Sequence, residues 1–95
     1  MEPLKIMNIP RGWKMYVIFI RDKRQQIYSK ISTADKFEAF RKFEETIYRK
    51  ELYGRKLIAV MTHERKIKAF HGFKNEKCDK TIKATLENLQ SVLSI

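Results

Sequence analysis

Two histidines bracket one short stretch of this sequence. His63 and His71 stand eight residues apart, with Glu64, Arg65 and Lys66 beside the first. Cleavage of a phosphodiester asks for a general base, a general acid and a cation to hold the charge that builds on phosphorus. The residue types present allow a toxin-like ribonuclease working through His63 and His71. Their spacing supports it less well. Alternation sets His71 on one side with Ile67 and Phe73, where a histidine is expected to be a hydrogen-bonded core residue. His63 falls in a turn open to water. Neither stands at metal-ligand spacing from another histidine or a cysteine. The lone Cys78, between Lys77 and Lys80, leaves no disulfide within the chain and no thiolate zinc cage; it is expected as a half-buried small residue near a helix start. Glu44 and Glu51 are expected to bend out to solvent or to pair with a base on the sheet. Gly12, Gly54 and Gly72 are isolated, so no loop cradles a phosphate. The expectation is a non-catalytic chain with no catalytic residue, no metal ligand and no cofactor.

Positive charge is the stronger chemical signal. The chain has 21 Lys and Arg against 11 Asp and Glu, a net charge of +10 over 95 residues. The surplus is local. Residues 11–31 carry six bases against Asp22, and residues 55–80 carry eight bases against three acids, so each segment is +5. Residues 1–10, 32–54 and 81–95 each balance to zero. A surplus confined to two segments implies a basic surface, and such surfaces bind polyanions because each neutralised phosphate releases condensed counterions. Lysines on edge strands can also serve only to block edge pairing.

Those two segments read as hairpins. After the turn signal Pro10-Arg11-Gly12, residues 15–20 are β-branched and aromatic on both parities, the mark of a central strand. Residues 21–24 form a charged turn. Residues 26–31 alternate, with Ile27, Ser29 and Ile31 on one face and Gln26, Tyr28 and Lys30 on the other. Residues 57–61, 63–66 and 66–73 repeat the layout: strand, charged turn, strand. There Ile67, Ala69, His71 and Phe73 oppose Lys66, Lys68 and Phe70. Between the hairpins, Phe37, Phe40, Phe43, Ile47 and Tyr48 recur at helical spacing over 34–53. Ser32 or Thr33 serves as cap, Asp35 lies in the first turn, and Gly54 is the stop. A last helix starts near Asp79 and carries Ile82, Leu86, Leu89 and Leu93 as one stripe.

The order is ββαββα. The expected fold is α+β: a four-stranded, mostly antiparallel sheet with the first and third strands central and both helices on one face. Ninety-five residues make one compact basic domain, with residues 1–12 as an extended segment packing on it. Six Phe, four Tyr and one Trp argue against a disordered tail. The longest apolar run, six residues, is too short to span a bilayer, and no secretory leader is expected, so the setting is expected to be cytoplasmic without a membrane partner. The order of elements resembles that of the β-grasp domains and of the double-hairpin unit of homing endonucleases. The acidic glycine-containing helix of the latter has no counterpart, and order alone implies no activity.

A helix crossing the sheet returns the chain to its far end, so the two charged turns are expected at opposite ends, on the order of 23 Å apart. The expected function is non-catalytic binding of DNA or RNA with weak sequence preference. Arg21, Lys23, Arg24, Lys30, Arg65, Lys66 and Lys68 would hold phosphates, and Tyr28 and Phe70 would stack on bases. A protein-binding inhibitor or regulator, virus- or plasmid-encoded, docking on an acidic partner would use the same charge. The face bearing Tyr28 and Phe70 stands open, or is covered by the last helix or a second copy; a homodimer would also double the basic surface.

Overall fold

The computed structural model describes residues 14–95. The opening segment 1–12, with its turn signal and its expected packing, lies outside the described residues. Four strands follow the expected order: β1 (Tyr16–Asp22), β2 (Ile27–Thr33), β3 (Leu57–His63) and β4 (Lys66–Gly72). Helix α1 (Lys36–Ile47) joins the hairpins, and α2 (Asp79–Leu93) follows β4. The sheet order is β2-β1-β3-β4, antiparallel at every pairing, so the two apolar strands are central. The fold is therefore α+β in the ββαββα order. No helix among the described residues is long and apolar enough to cross a membrane.

Both helices lie on one side of the sheet. Ile18 and Ile20 of β1 and Ala59 and Met61 of β3 share one buried cluster with Ala39, Phe43 and Ile47 of α1 and the whole Ile82–Leu86–Leu89–Leu93 stripe of α2. That stripe is the one the spacing gives. The α1 stripe is rotated. Six helical positions carry a side chain about 120° round from where it began, so Phe37 and Phe43 cannot share a face. Phe43 is fully buried, while Phe37 is 63% exposed and Tyr48 lies at the surface. Ala39, a residue with no large side chain to notice, completes the buried line.

The helix is also shorter than the expected span of 34–53. Its N-cap is Asp35, whose Oδ1 accepts from Phe37 N at 2.9 Å. Thr33 belongs to β2, and its hydroxyl donates to Glu38 instead. At the other end Arg49 turns extended and a 3-10 turn, Lys50–Leu52, follows. The Tyr53 hydroxyl reaches back to donate to Ile47 O at 2.5 Å, satisfying a carbonyl the broken helix leaves free. Gly54, at φ +86°, ends the 3-10 turn and donates to Phe73 O at 2.7 Å. The helix stop expected at Gly54 falls earlier, at Tyr48. Cys78 occupies the N-cap of α2 and is exposed, where a half-buried residue was expected.

Candidate nucleic-acid interface

The charged turns do lie at opposite ends of the sheet. Asp22 pairs with Leu57, and Tyr16 with His63, so the β1–β2 turn and the β3–β4 turn are a strand length apart. Six residues at ~3.3 Å each make that about 20 Å. The turns differ in build. In the first, Asp22 accepts from Arg24 N at 2.8 Å and Gln26 N at 3.0 Å through Oδ1, and from the Tyr28 hydroxyl at 2.8 Å through Oδ2. These bonds, with the one from Gln26 N largest, hold the Asp22 carboxyl below its ordinary pKa. The second is a two-residue loop, with Glu64 at φ 55° and Arg65 at φ 67°. Two positive φ values are the type I′ requirement, met here without glycine or asparagine.

The face away from the helices is ordered in rows by the pairing. Lys30, Phe19, Val60 and Phe70 form one row across the four strands. Ser32, Val17, Thr62 and Ile67 form the next, and Ile27, Arg21, Ile58 and Gly72 the third. Phe70 and Ile67 stand 67% and 65% exposed. Helix α2 packs on the other side and does not cover them. This face is more aliphatic than alternation suggests, for a physical reason. A bulge at Ile20/Arg21 leaves Tyr28 without a partner on β1, and a bulge at Met61/Thr62 does the same to Lys68 on β3. Each extra residue reverses the parity beyond it. Ile27 and Ile67, expected among the core residues, therefore sit in the away-facing rows, and Lys66 joins Thr33, Tyr16 and His63 in a row on the helix side.

The expected binding residues thus fall into three groups. Arg21, Lys30 and Phe70 share the open face. Lys23, Arg24 and Tyr28 gather at the β1–β2 end, and Arg65, Lys66 and Lys68 lie toward the β3–β4 end. At the first end they meet residues the sequence reading did not single out. A cleft of about 510 Å³ is lined by Ile20, Leu52 and Leu57 on an apolar floor, with Tyr28, Ser29 and Asp22 on one wall and Arg49, Arg55 and Lys56 on the other. Arg49 is counted in a charge-balanced helix when charge is summed by segment. The break after Ile47 delivers it to the cleft, and no local pattern announces that break. Arg55 and Lys56, directly after Gly54, were within reach of a search for cations at element boundaries. The Asp22 bond raises the Tyr28 pKa, and the positive charges of Arg24 and Arg55 oppose that pull.

Ion pairs avoid the hairpins. Among the described residues they are Lys42–Glu45, Arg49–Glu51 and Lys77–Asp79. Glu51 has bent out to solvent as expected and holds Arg49 Nε at 2.9 Å. Arg21, Lys23, Arg24, Lys30, Arg65, Lys66 and Lys68 take part in none of these pairs.

The histidines do not form one site. His71 pairs with Ala59 and His63 lies four residues further along β3, roughly 13 Å away at ~3.3 Å per residue. One phosphate cannot touch both. His63 stacks on Tyr16 at 3.9 Å between centroids and donates from Nε2 to Lys14 O at 3.0 Å. His71 is buried, as alternation required, at 5% exposure. Its Nε2 lies 3.0 Å from Tyr53 Oη and its Nδ1 2.9 Å from Thr85 Oγ1. The single Tyr53 proton goes to Ile47 O, so Tyr53 accepts from His71 Nε2–H, and the single Thr85 proton is then turned to Nδ1 at 2.9 Å in place of Thr81 O at 3.2 Å. Burial holds the His71 pKa below its ordinary value, and burial pushes that of Tyr53 up to about 12. No group of three or more His, Cys, Asp or Glu among the described residues could hold a metal ion. Compared with protein-family models, curated proteins and solved structures, the chain matches none, so its function is read from this geometry alone.

Proposed function

We propose that the chain binds nucleic acid without cleaving it, through cations at both ends of the sheet and with weak sequence preference. The observation that carries this reading is electrostatic. Lys23 and Arg24 at one end of the sheet and Arg65, Lys66 and Lys68 toward the other stand about 20 Å apart, and the hairpin cations are left out of the ion pairs among the described residues. Unpaired cations keep their full attraction for phosphate, and contacts to phosphate position a protein without reading sequence. DNA and RNA both fit, since phosphate contacts do not read the sugar. The test is a gel-shift series across salt with duplex DNA, single-stranded DNA and RNA. If about five phosphates are engaged, log K against log salt falls with a slope near −4.5 on duplex DNA or near −3.5 on a single strand. Binding indifferent to salt overturns the reading.

A second reading rests on a different observation. The open face presents exposed Ile27, Ile67 and Phe70 beside half-buried Val17, Phe19 and Ile58, and its rows hold two cations, Arg21 and Lys30, and no carboxylate. An apolar centre with a basic margin suits an acidic protein partner. Under that reading Phe70→Asp abolishes capture of one nuclease-resistant protein partner. Under the first, its effect on nucleic-acid affinity is small beside that of Arg24→Glu.

A further inference from the structure

We propose that the cleft beside the β1–β2 turn takes one unpaired nucleotide, so that the chain prefers single strands to duplex. This rests on the nucleic-acid reading and adds to it the form of the ligand. The cleft combines three chemistries that a nucleotide needs together. Half-buried Leu57, over the buried Ile20 and Leu52 beneath it, gives the cleft an apolar floor for a base. Tyr28 supplies an aromatic wall, 57% exposed and pinned by its hydroxyl on Asp22 Oδ2 at 2.8 Å. A ring held in place loses little freedom when a base stacks on it. Arg55 and Lys56 stand across the cleft without ion-pair partners among the described residues, and Arg49 is engaged by Glu51 through Nε. They are placed for the phosphate that the base carries. The one carboxylate in the lining, Asp22, accepts three hydrogen bonds, which offset part of its charge. A volume of about 510 Å³ is within the range of small-molecule sites. Bases stacked in a duplex cannot reach such a floor, whereas unpaired ones can be splayed into it.

The bulge at Ile20/Arg21 is what builds the wall. Without the extra residue Tyr28 would take a place in the cross-strand rows. With it, Tyr28 leaves those rows and lines the cleft together with Arg49 and Arg55 from the connection between α1 and β3.

The experiment measures fluorescence anisotropy of labelled single-stranded and duplex oligonucleotides of the same length, DNA and RNA, with the full chain. Wild type is expected to bind the single strand at least tenfold more tightly. Tyr28→Leu removes the stacking face and is expected to cost about tenfold or more on the single strand, with less than about twofold on duplex. Tyr28→Phe keeps the face, loses the hydroxyl and is expected to stay within about threefold of wild type. Urea midpoints confirm that both variants fold. Equal binding to strand and duplex overturns the cleft proposal and leaves the wider reading standing. So does equal loss in the Leu and Phe variants, which would trace the effect to the turn. Binding to neither form overturns both.

Discussion

The β3–β4 turn lets stability and binding be separated in one variant. Glu64 and Arg65 both hold left-handed backbone, at φ 55° and 67°. A residue with a β-carbon pays roughly 1–2 kcal/mol there, glycine nothing and asparagine less than most. Glu64→Asn with Arg65→Gly installs the favoured type I′ pair. Glycine returns about 0.5–1 kcal/mol of that gain through the greater freedom of the unfolded chain. A net stabilisation of about 1 kcal/mol or more is expected, which raises Tm by roughly 4–8 °C in a domain this small. The substitutions remove one acid and one base, so the net charge stays at +10. Any loss of binding then reports the lost guanidinium and not the total charge. If Arg65 holds one phosphate, the salt slope shrinks by about 0.9 on duplex or about 0.7 on a single strand. Urea unfolding followed by circular dichroism reads the first effect and anisotropy across salt the second. A variant that is no more stable refutes the strain argument. An unchanged slope removes Arg65 from the interface.

Two further outcomes follow from the buried polar group at the end of α1. Tyr53→Phe leaves Ile47 O and His71 Nε2–H without their shared partner. Each orphaned buried group costs about 1–3 kcal/mol, so a loss of about 2–6 kcal/mol in urea unfolding is expected. A loss below about 0.5 kcal/mol would mean that water or relaxation replaces the hydroxyl. The pH dependence of stability isolates His71. Burial lowers its pKa in the folded chain, so below about pH 6.5 the unfolded ring takes up a proton that the folded ring refuses. Stability attributable to His71 is therefore complete above that pH and declines as pH falls toward the folded pKa. The difference in urea midpoint between wild type and His71→Gln should be constant from pH 8 to 7 and shrink below pH 6.5; a constant difference down to pH 5 refutes it.

Elements with a strong local pattern were readable without coordinates. The stripe Ile82, Leu86, Leu89 and Leu93 is buried as its spacing requires. The two-sided apolar strands became β1 and β3, the middle of the sheet, where a neighbouring strand on each side shelters the away-facing residues that no helix covers. His71 was placed inward by counting residues by twos, and it is inward. The same counting misplaced Ile27 and Ile67, because one inserted residue in a strand reverses every side chain beyond it and leaves no mark in composition. The α1 stripe failed for a related reason. Five large apolar residues suggested one face, but their spacing drifts around the helix, and the small Ala39 was passed over.

The candidate site divides along the same line. Charge is a property of composition and order, so the sequence alone determined that the surplus of +10 belongs to two segments, residues 11–31 and 55–80, each a hairpin with its flanks. It also determined that those hairpins' turns point apart, since an intervening helix returns the chain to the far end of a sheet. Only the tertiary structure decided what stands beside each turn. Arg49, Arg55 and Lys56 come from the connection between α1 and β3, yet they line a cleft with Tyr28 from β2, more than twenty residues earlier. That meeting depends on where α1 breaks, and the break is held by a hydroxyl from Tyr53 that itself rests on His71 of β4. Contacts between residues distant in sequence carry no local signature, because the free energy that selects them appears only when the core closes.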